Sequence, residues 1–140
     1  MRVADLMSGS LVTVGHDATV PDAWSIMRTR QVRHLPVLDL DRRLIGMLTD
    51  HDLRLVILER WLREEPGQLA RTLAGLRVNE IMTWAVITVG PDADIRDAAR
   101  IMYDRKLGAL PVADEGRVIG MLTATDVIRA VVGTPAERGA

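Results

Sequence analysis

The stretch HLPVLDLDRRLIGMLTDHD (His34–Asp52) is written a second time as ALPVADEGRVIGMLTATD (Ala109–Asp126). Each copy holds an apolar run, a short turn built from Asp, Arg, Glu or Gly, a second apolar run, and then Thr-x-x-Asp. Two apolar runs of strand length joined by a short turn predict a β-hairpin. Thr followed three residues later by Asp predicts a helix start, because a side-chain oxygen at the cap accepts an otherwise orphaned backbone N–H. The hairpin therefore feeds straight into a helix, and it does so twice.

The repetition extends well upstream. Val3–Asp39 lies over Val78–Asp114 without a gap, so that Met7 meets Met82, Thr13-Val14-Gly15 meets Thr88-Val89-Gly90, and Ile26-Met27 meets Ile101-Met102. The first copy carries one extra residue in its hairpin turn, after which Gly46-Met47-Leu48-Thr49 falls on Gly120-Met121-Leu122-Thr123. Such self-similarity means one structural unit used twice. Each copy begins with a short helical lead-in (Val3–Met7, Val78–Met82) and a short strand (LVTV, VITV). A helix follows, its start marked by Thr19 with Asp22 or by Asp94 with Asp97. Val20, Ala23, Trp24 and Met27 recur at helical spacing, as do Ile95, Ala98, Ala99 and Met102. After the hairpin, the second helix carries Leu53, Val56, Ile57 and Leu58, or Val127, Ile128, Val131 and Val132.

The expected fold is thus α/β (α+β), two β-α-β-β-α repeats packed with pseudo-two-fold symmetry, since a copy of about 50 residues is marginal alone. The repeats span 1–60 and 78–133, with a helical linker at 61–77 and a loose tail at 134–140. Pro66-Gly67 breaks the linker. Leu69, Thr72, Leu73 and Leu76 then form a short amphipathic helix, either packed on the core or offered to a second chain with Trp61 as an anchor.

Composition narrows the function. The 140 residues are 48% apolar with a formal net charge of −1, which suits a globular core but lacks the cationic excess a general nucleic-acid binder needs to displace counterions. With no Phe and one Tyr, base-stacking platforms are missing as well. The absence of Cys removes disulfides, zinc–thiolate sites and cysteine nucleophiles together. No apolar run approaches about 18 residues and the N-terminus does not read as a signal peptide. A cytoplasmic protein with no membrane and no nucleic-acid partner is expected.

The lead-ins Leu6-Met7-Ser8 and Ile81-Met82-Thr83, the strand pairs Thr13-Val14 and Thr88-Val89, Leu-Pro-Val before an Asp, and Gly-x-Leu-Thr-x-x-Asp occur in one order, twice. This pattern resembles a tandem pair of CBS (cystathionine-β-synthase) domains, a Bateman module, over nearly the whole chain. The resemblance implies a pseudo-symmetric sandwich that often dimerises. It also implies adenosine-containing ligands, AMP, ADP, ATP or S-adenosylmethionine, in clefts between the two repeats. No enzyme is expected: a stand-alone regulatory module would signal to a partner protein, and no cofactor is needed beyond the regulatory ligand. The alternative is a ligand-free dimerisation module.

The resemblance and the chemistry single out the same residues. As a plain capping box, Thr49 with Asp52 and Thr123 with Asp126 need no ligand. As a site, a helix start offers N–H groups and a positive dipole end to phosphate, while the Asp can accept hydrogen bonds from a ribose diol. The resemblance assigns Asp52 and Asp126 to ribose, and Thr125 or His51 to a further polar contact. It assigns Arg33 and His34, just before Leu35-Pro36-Val37, to phosphates. Ala109 and Pro111 are the matching positions of the second copy, and Gly108-Ala109 carries no charge. Val12-Thr13 and Ile87-Thr88 would flank the adenine, with Trp84 either covering a base or simply packing. Asp50-His51-Asp52 is not read as a metal site, because adjacent helical side chains splay apart. Two unequal sites follow. The one with Thr49, Asp52, Arg33 and His34 should prefer more phosphate charge than the one with Thr123, Thr125 and Asp126.

Overall fold

The computed structural model describes residues 1–9 and 11–133; the tail 134–140 lies outside the described residues. The chain divides into two compact units, one of Val12–Val86 and the other of Met1–Leu11 with the chain from Ile87. This division departs from the written repeat, because the lead-in of each copy is folded onto the other copy's hairpin. A hairpin alone leaves a row of unpaired backbone groups along its edge. The lead-ins cover those edges.

In the Val12–Val86 unit the sheet runs β1-β2-β3-β4. Strand β1 (Val14–Gly15) lies parallel to β2 (His34–Leu38), which pairs antiparallel with β3 (Leu44–Thr49). Strand β4 (Thr83–Trp84) closes the edge of β3, with Gly46 opposite Trp84. Helix α2 (Val20–Arg30) starts at the expected Thr19 capping box. The Thr19 hydroxyl accepts the Asp22 N–H at 3.2 Å, and the Asp22 carboxylate accepts the Thr19 N–H at 3.2 Å. The Thr19 backbone N–H first, and the Thr19 side chain second, hold the Asp22 carboxyl below its ordinary pKa. Helix α3 (Asp50–Arg63) leaves β3 at Thr49. Leu35, Val37, Leu48, Leu53, Val20, Ala23, Met27 and Val78 form the core. Leu73, on helix α4 (Leu69–Ala74), and Leu76 beyond it pack against this core, whereas Trp61 is 66% exposed.

The second unit contains α1 (Val3–Leu6), α5 (Ile95–Arg105), the hairpin β5 (Ala109–Asp114) and β6 (Arg117–Thr123), and α6 (Ala124–Val132). Val3, Ala98, Met102, Leu110, Val112 and Leu122 form its core. Ser8 bridges Met121 on the edge of β6, as β4 pairs β3 in the first unit. Asp94 caps α5 through the Arg96 N–H at 2.7 Å. The Asp97 N–H turns instead to the Asp94 carbonyl at 3.1 Å.

Two further sequence features take shape here. Of the expected strand LVTV only Val14 lies in β1, which runs on to Gly15, and VITV reduces to a single parallel bridge from Val89 to Val112. The hairpin turns differ by one residue for a conformational reason. Glu115 and Gly116 both have positive φ (51° and 80°) and close a two-residue turn of the kind hairpins favour. The longer first turn is pinned by the Asp39 carboxylate, which accepts the N–H groups of Asp41 and Arg43, each at 2.9 Å.

Candidate functional site

The candidate site of each unit forms where the hairpin enters its helix. Hairpin register places His34 opposite Thr49 and Ala109 opposite Thr123. The residue before Leu-Pro-Val thus stands beside the helix cap, although they lie far apart in sequence. The backbone ties this corner further. The Asp50 N–H donates to the Arg33 carbonyl at 2.9 Å, and the Ala124 N–H donates to the Gly108 carbonyl at 2.9 Å.

The capping boxes are built as the sequence predicts. Thr49 Oγ1 accepts the Asp52 N–H at 3.1 Å and Asp52 Oδ2 accepts the Thr49 N–H at 2.9 Å. Thr123 and Asp126 repeat the same bonds at 3.1 and 2.9 Å. One carboxylate oxygen of each Asp is therefore engaged within the cap, and the other remains for a further acceptor role. In the second unit that other oxygen, Asp126 Oδ1, lies 3.7 Å from Arg129.

One expectation changes. A bare helix start offers its first N–H groups to an anion, but here the N–H groups of Asp50 and Asp52 are already bonded, as are those of Ala124 and Asp126. Phosphate charge would have to be met mainly by side chains. The first unit has Arg33 and His34 at this corner with His51 exposed on α3, whereas the second has Gly108, Ala109 and the exposed Thr125.

The remaining expected residues fall into two groups. Because β1 runs parallel to β2 with Val14 opposite Val37, Val12 and Thr13 lead in from the end of the sheet where His34 and Thr49 stand. Val89 opposite Val112 gives Ile87 and Thr88 the same relation to Ala109 and Thr123. Val12 and Ile87 also pack on their cores. Pro36 and Pro111 are completely buried opposite Met47 and Met121. Both serve packing in this structure. Trp84 is 56% exposed on β4. Asp50, named from the sequence only in connection with a metal, joins the corner through its N–H bond to the Arg33 carbonyl, as Ala124 does to Gly108.

His34 is half-buried, and burial lowers its pKa, while the Asp50 carboxylate raises it, Arg33 lowers it and Asp52 raises it. The neutral imidazole is thus favoured in the folded chain. A folded-state pKa below the unfolded value of about 6.5 means that stability is present above that value and falls as pH drops through it toward the folded pKa. Urea unfolding between pH 7.5 and 5.5 should show this loss, and His34→Gln should flatten the profile. An unchanged slope in the variant would remove His34 as its source.

Comparison with known proteins identifies the family. The CBS domain family model matches residues 3–59 and 78–133. A CBS domain-containing protein of Dictyostelium discoideum is 35% identical over 127 residues, covering 90% of this chain and 88% of its own. Among solved structures, a CBS domain pair in complex with 5′-methylthioadenosine and S-adenosyl-L-methionine aligns with a TM-score of 0.79 at 27% identity, covering 95% of this chain and 97% of that one. CBSX2 in complex with AMP aligns with a TM-score of 0.76 at 31% identity, covering 94% and 96%.

Proposed function

The chain belongs to the CBS domain family as a tandem pair, and on that footing we propose that it is a regulatory module that binds adenosine-containing ligands and relays their presence to a partner protein. The observation that carries this reading is the corner where a half-buried Thr-x-x-Asp cap meets the residue preceding Leu-Pro-Val, once in each unit. The neighbours' ligands, AMP, S-adenosyl-L-methionine and 5′-methylthioadenosine, share an adenosine moiety. That shared moiety is the part a ribose-directed Asp recognises. Arg33 and His34 favour a phosphate-bearing ligand in the first unit; the uncharged corner of the second favours a less anionic one. Catalysis has no place in this reading, and its composition fits the cytoplasm.

Thermal shift and calorimetry against AMP, ADP, ATP and S-adenosylmethionine test it. A ligand at 100 times its dissociation constant stabilises by about 2.7 kcal/mol. A folded sample that none of the four stabilises would sink the proposal.

Self-association is part of the same reading, on a separate observation. Leu55, Leu58 and Leu62 are 53%, 55% and 79% exposed on α3, while Leu53 of the same helix is completely buried. Their spacing forms one solvent-facing stripe, and apolar stripes in water favour a partner surface. Leu58→Glu is expected to raise the dissociation constant of a homodimer at least tenfold in sedimentation equilibrium. A parent chain that sediments as a monomer, or a dimer indifferent to Leu58→Glu, would refute this.

A further inference from the structure

A groove between α2 and α3 of the first unit has a volume of about 390 Å³, the scale of a small-molecule pocket. Arg28, Arg33 and Arg54 line it against a single carboxylate, Asp50. Asp50 lies 3.6 Å from Arg54, which offsets one positive charge. Among the described residues, neither Arg28 nor Arg33 has a carboxylate within ion-pair distance. Trp24 forms an apolar wall and is held by packing on the core. Gln31, whose left-handed backbone (φ 53°) ends α2, adds an amide.

The second unit shows that this charge is no by-product of pairing two helices. Its matching groove, about 230 Å³ between α5 and α6, is lined by Ala99, Tyr103, Ala124 and Ile128 where the first has Trp24, Arg28, Asp50 and Arg54. Among the described residues, no charged side chain lines it. The same architecture therefore forms without cations. Gathering three of them around one groove costs mutual repulsion, which a bound anion relieves.

We propose that the α2–α3 groove is an anion site for a phosphate-bearing small molecule, with its phosphate held by Arg28, Arg33 and Arg54 and its flat apolar part against Trp24. Guanidinium forks match phosphate oxygens in pairs, and an indole face accepts a flat ring beside cations. The groove adjoins the Thr49–Asp52 corner and shares Arg33 and Asp50 with it. Arg33 touches both, its carbonyl bonding the Asp50 N–H and its side chain lining the groove. The proposal stands whether or not that corner binds adenosine.

The chain has three Trp residues, so Trp61→Phe with Trp84→Phe leaves Trp24 as the sole reporter. Pyrophosphate and AMP are titrated separately into this full-length variant at fixed salt. Each should change Trp24 emission saturably, AMP the more strongly. Arg28→Gln with Arg54→Gln should weaken both at least tenfold; Arg28 is exposed and the Arg54 side chain is 66% exposed, so the fold should tolerate the change, as circular dichroism would verify. Asp50→Asn should tighten both about threefold by removing the opposing carboxylate, and adenosine, which carries the ribose but no phosphate, should leave Trp24 emission unchanged. The proposal is overturned by absence of a saturable response to either probe. It is equally overturned if the Arg pair proves irrelevant, if adenosine alone reproduces the response, or if only an acidic peptide elicits it.

Discussion

Gly120→Ala is expected to lower the unfolding free energy by about 2–3 kcal/mol, a fall of roughly 10 °C in Tm for a chain of this size. A Cβ on Gly120 would stand 2.7 Å from the Ser8 carbonyl oxygen and 3.0 Å from the Met7 sulfur. The Ser8 carbonyl is poorly placed to yield. The Ser8 N–H donates to the Met121 carbonyl at 2.9 Å, and the Met121 N–H returns to Ser8 at 3.4 Å. Moving Ser8 away from the new methyl breaks the bridge that covers the edge of β6. The equivalent Gly46→Ala meets only the side chain of Met82, whose unbranched thioether end adapts more readily than a backbone carbonyl. It should cost about half as much. Urea unfolding of both variants tests the argument through the order of the two effects. A Gly120→Ala midpoint equal to the parent, or a larger loss at Gly46, would show that the lead-in does not hold its hairpin in this way.

That contrast also marks where sequence reading stopped. The two copies, their hairpins and the helix starts at Thr19, Thr49, Asp94 and Thr123 were legible, because periodicity and capping are local properties. The exchange of lead-ins was not. Val3–Met7 and Val78–Met82 carry the same pattern whichever hairpin edge receives them, and only the pairing of Thr83–Trp84 with β3 and of Ser8 with Met121 decides it. The corner was half legible. A hairpin of the expected register implies that His34 faces Thr49, and the structure has this pair. Occupancy of the Asp52 N–H follows from the Thr49 cap, but that of the Asp50 N–H could not be read, since it depends on the carbonyl of Arg33, a residue before the hairpin. Pro36 looked like a site residue because of the motif around it; its depth depends on packing that no motif reports.

Asp52→Ala is expected to weaken the first unit's binding of its adenosine ligand about 100-fold, or about 2.7 kcal/mol, when measured by calorimetry. A hydrogen bond to a charged acceptor contributes about 1.5–3 kcal/mol, and a ribose diol can place two donors on one carboxylate. Asp52 Oδ2 already accepts the Thr49 N–H, so the diol must rely chiefly on Oδ1. The same substitution removes half of the capping box, and stability should fall by about 1 kcal/mol. Asp52→Asn separates the two roles. Its amide oxygen can still accept the Thr49 N–H, which restores most of the stability. Its NH₂ group, however, replaces the charged acceptor with a neutral donor to the hydroxyl oxygens, so affinity should stay low. Asp126→Ala should follow the same rule from a weaker start, because Arg129 lies 3.7 Å from Asp126 Oδ1 and draws on the oxygen a diol would use. If Asp52→Asn restored affinity together with stability, the carboxylate would be a cap alone and the ribose role would fall.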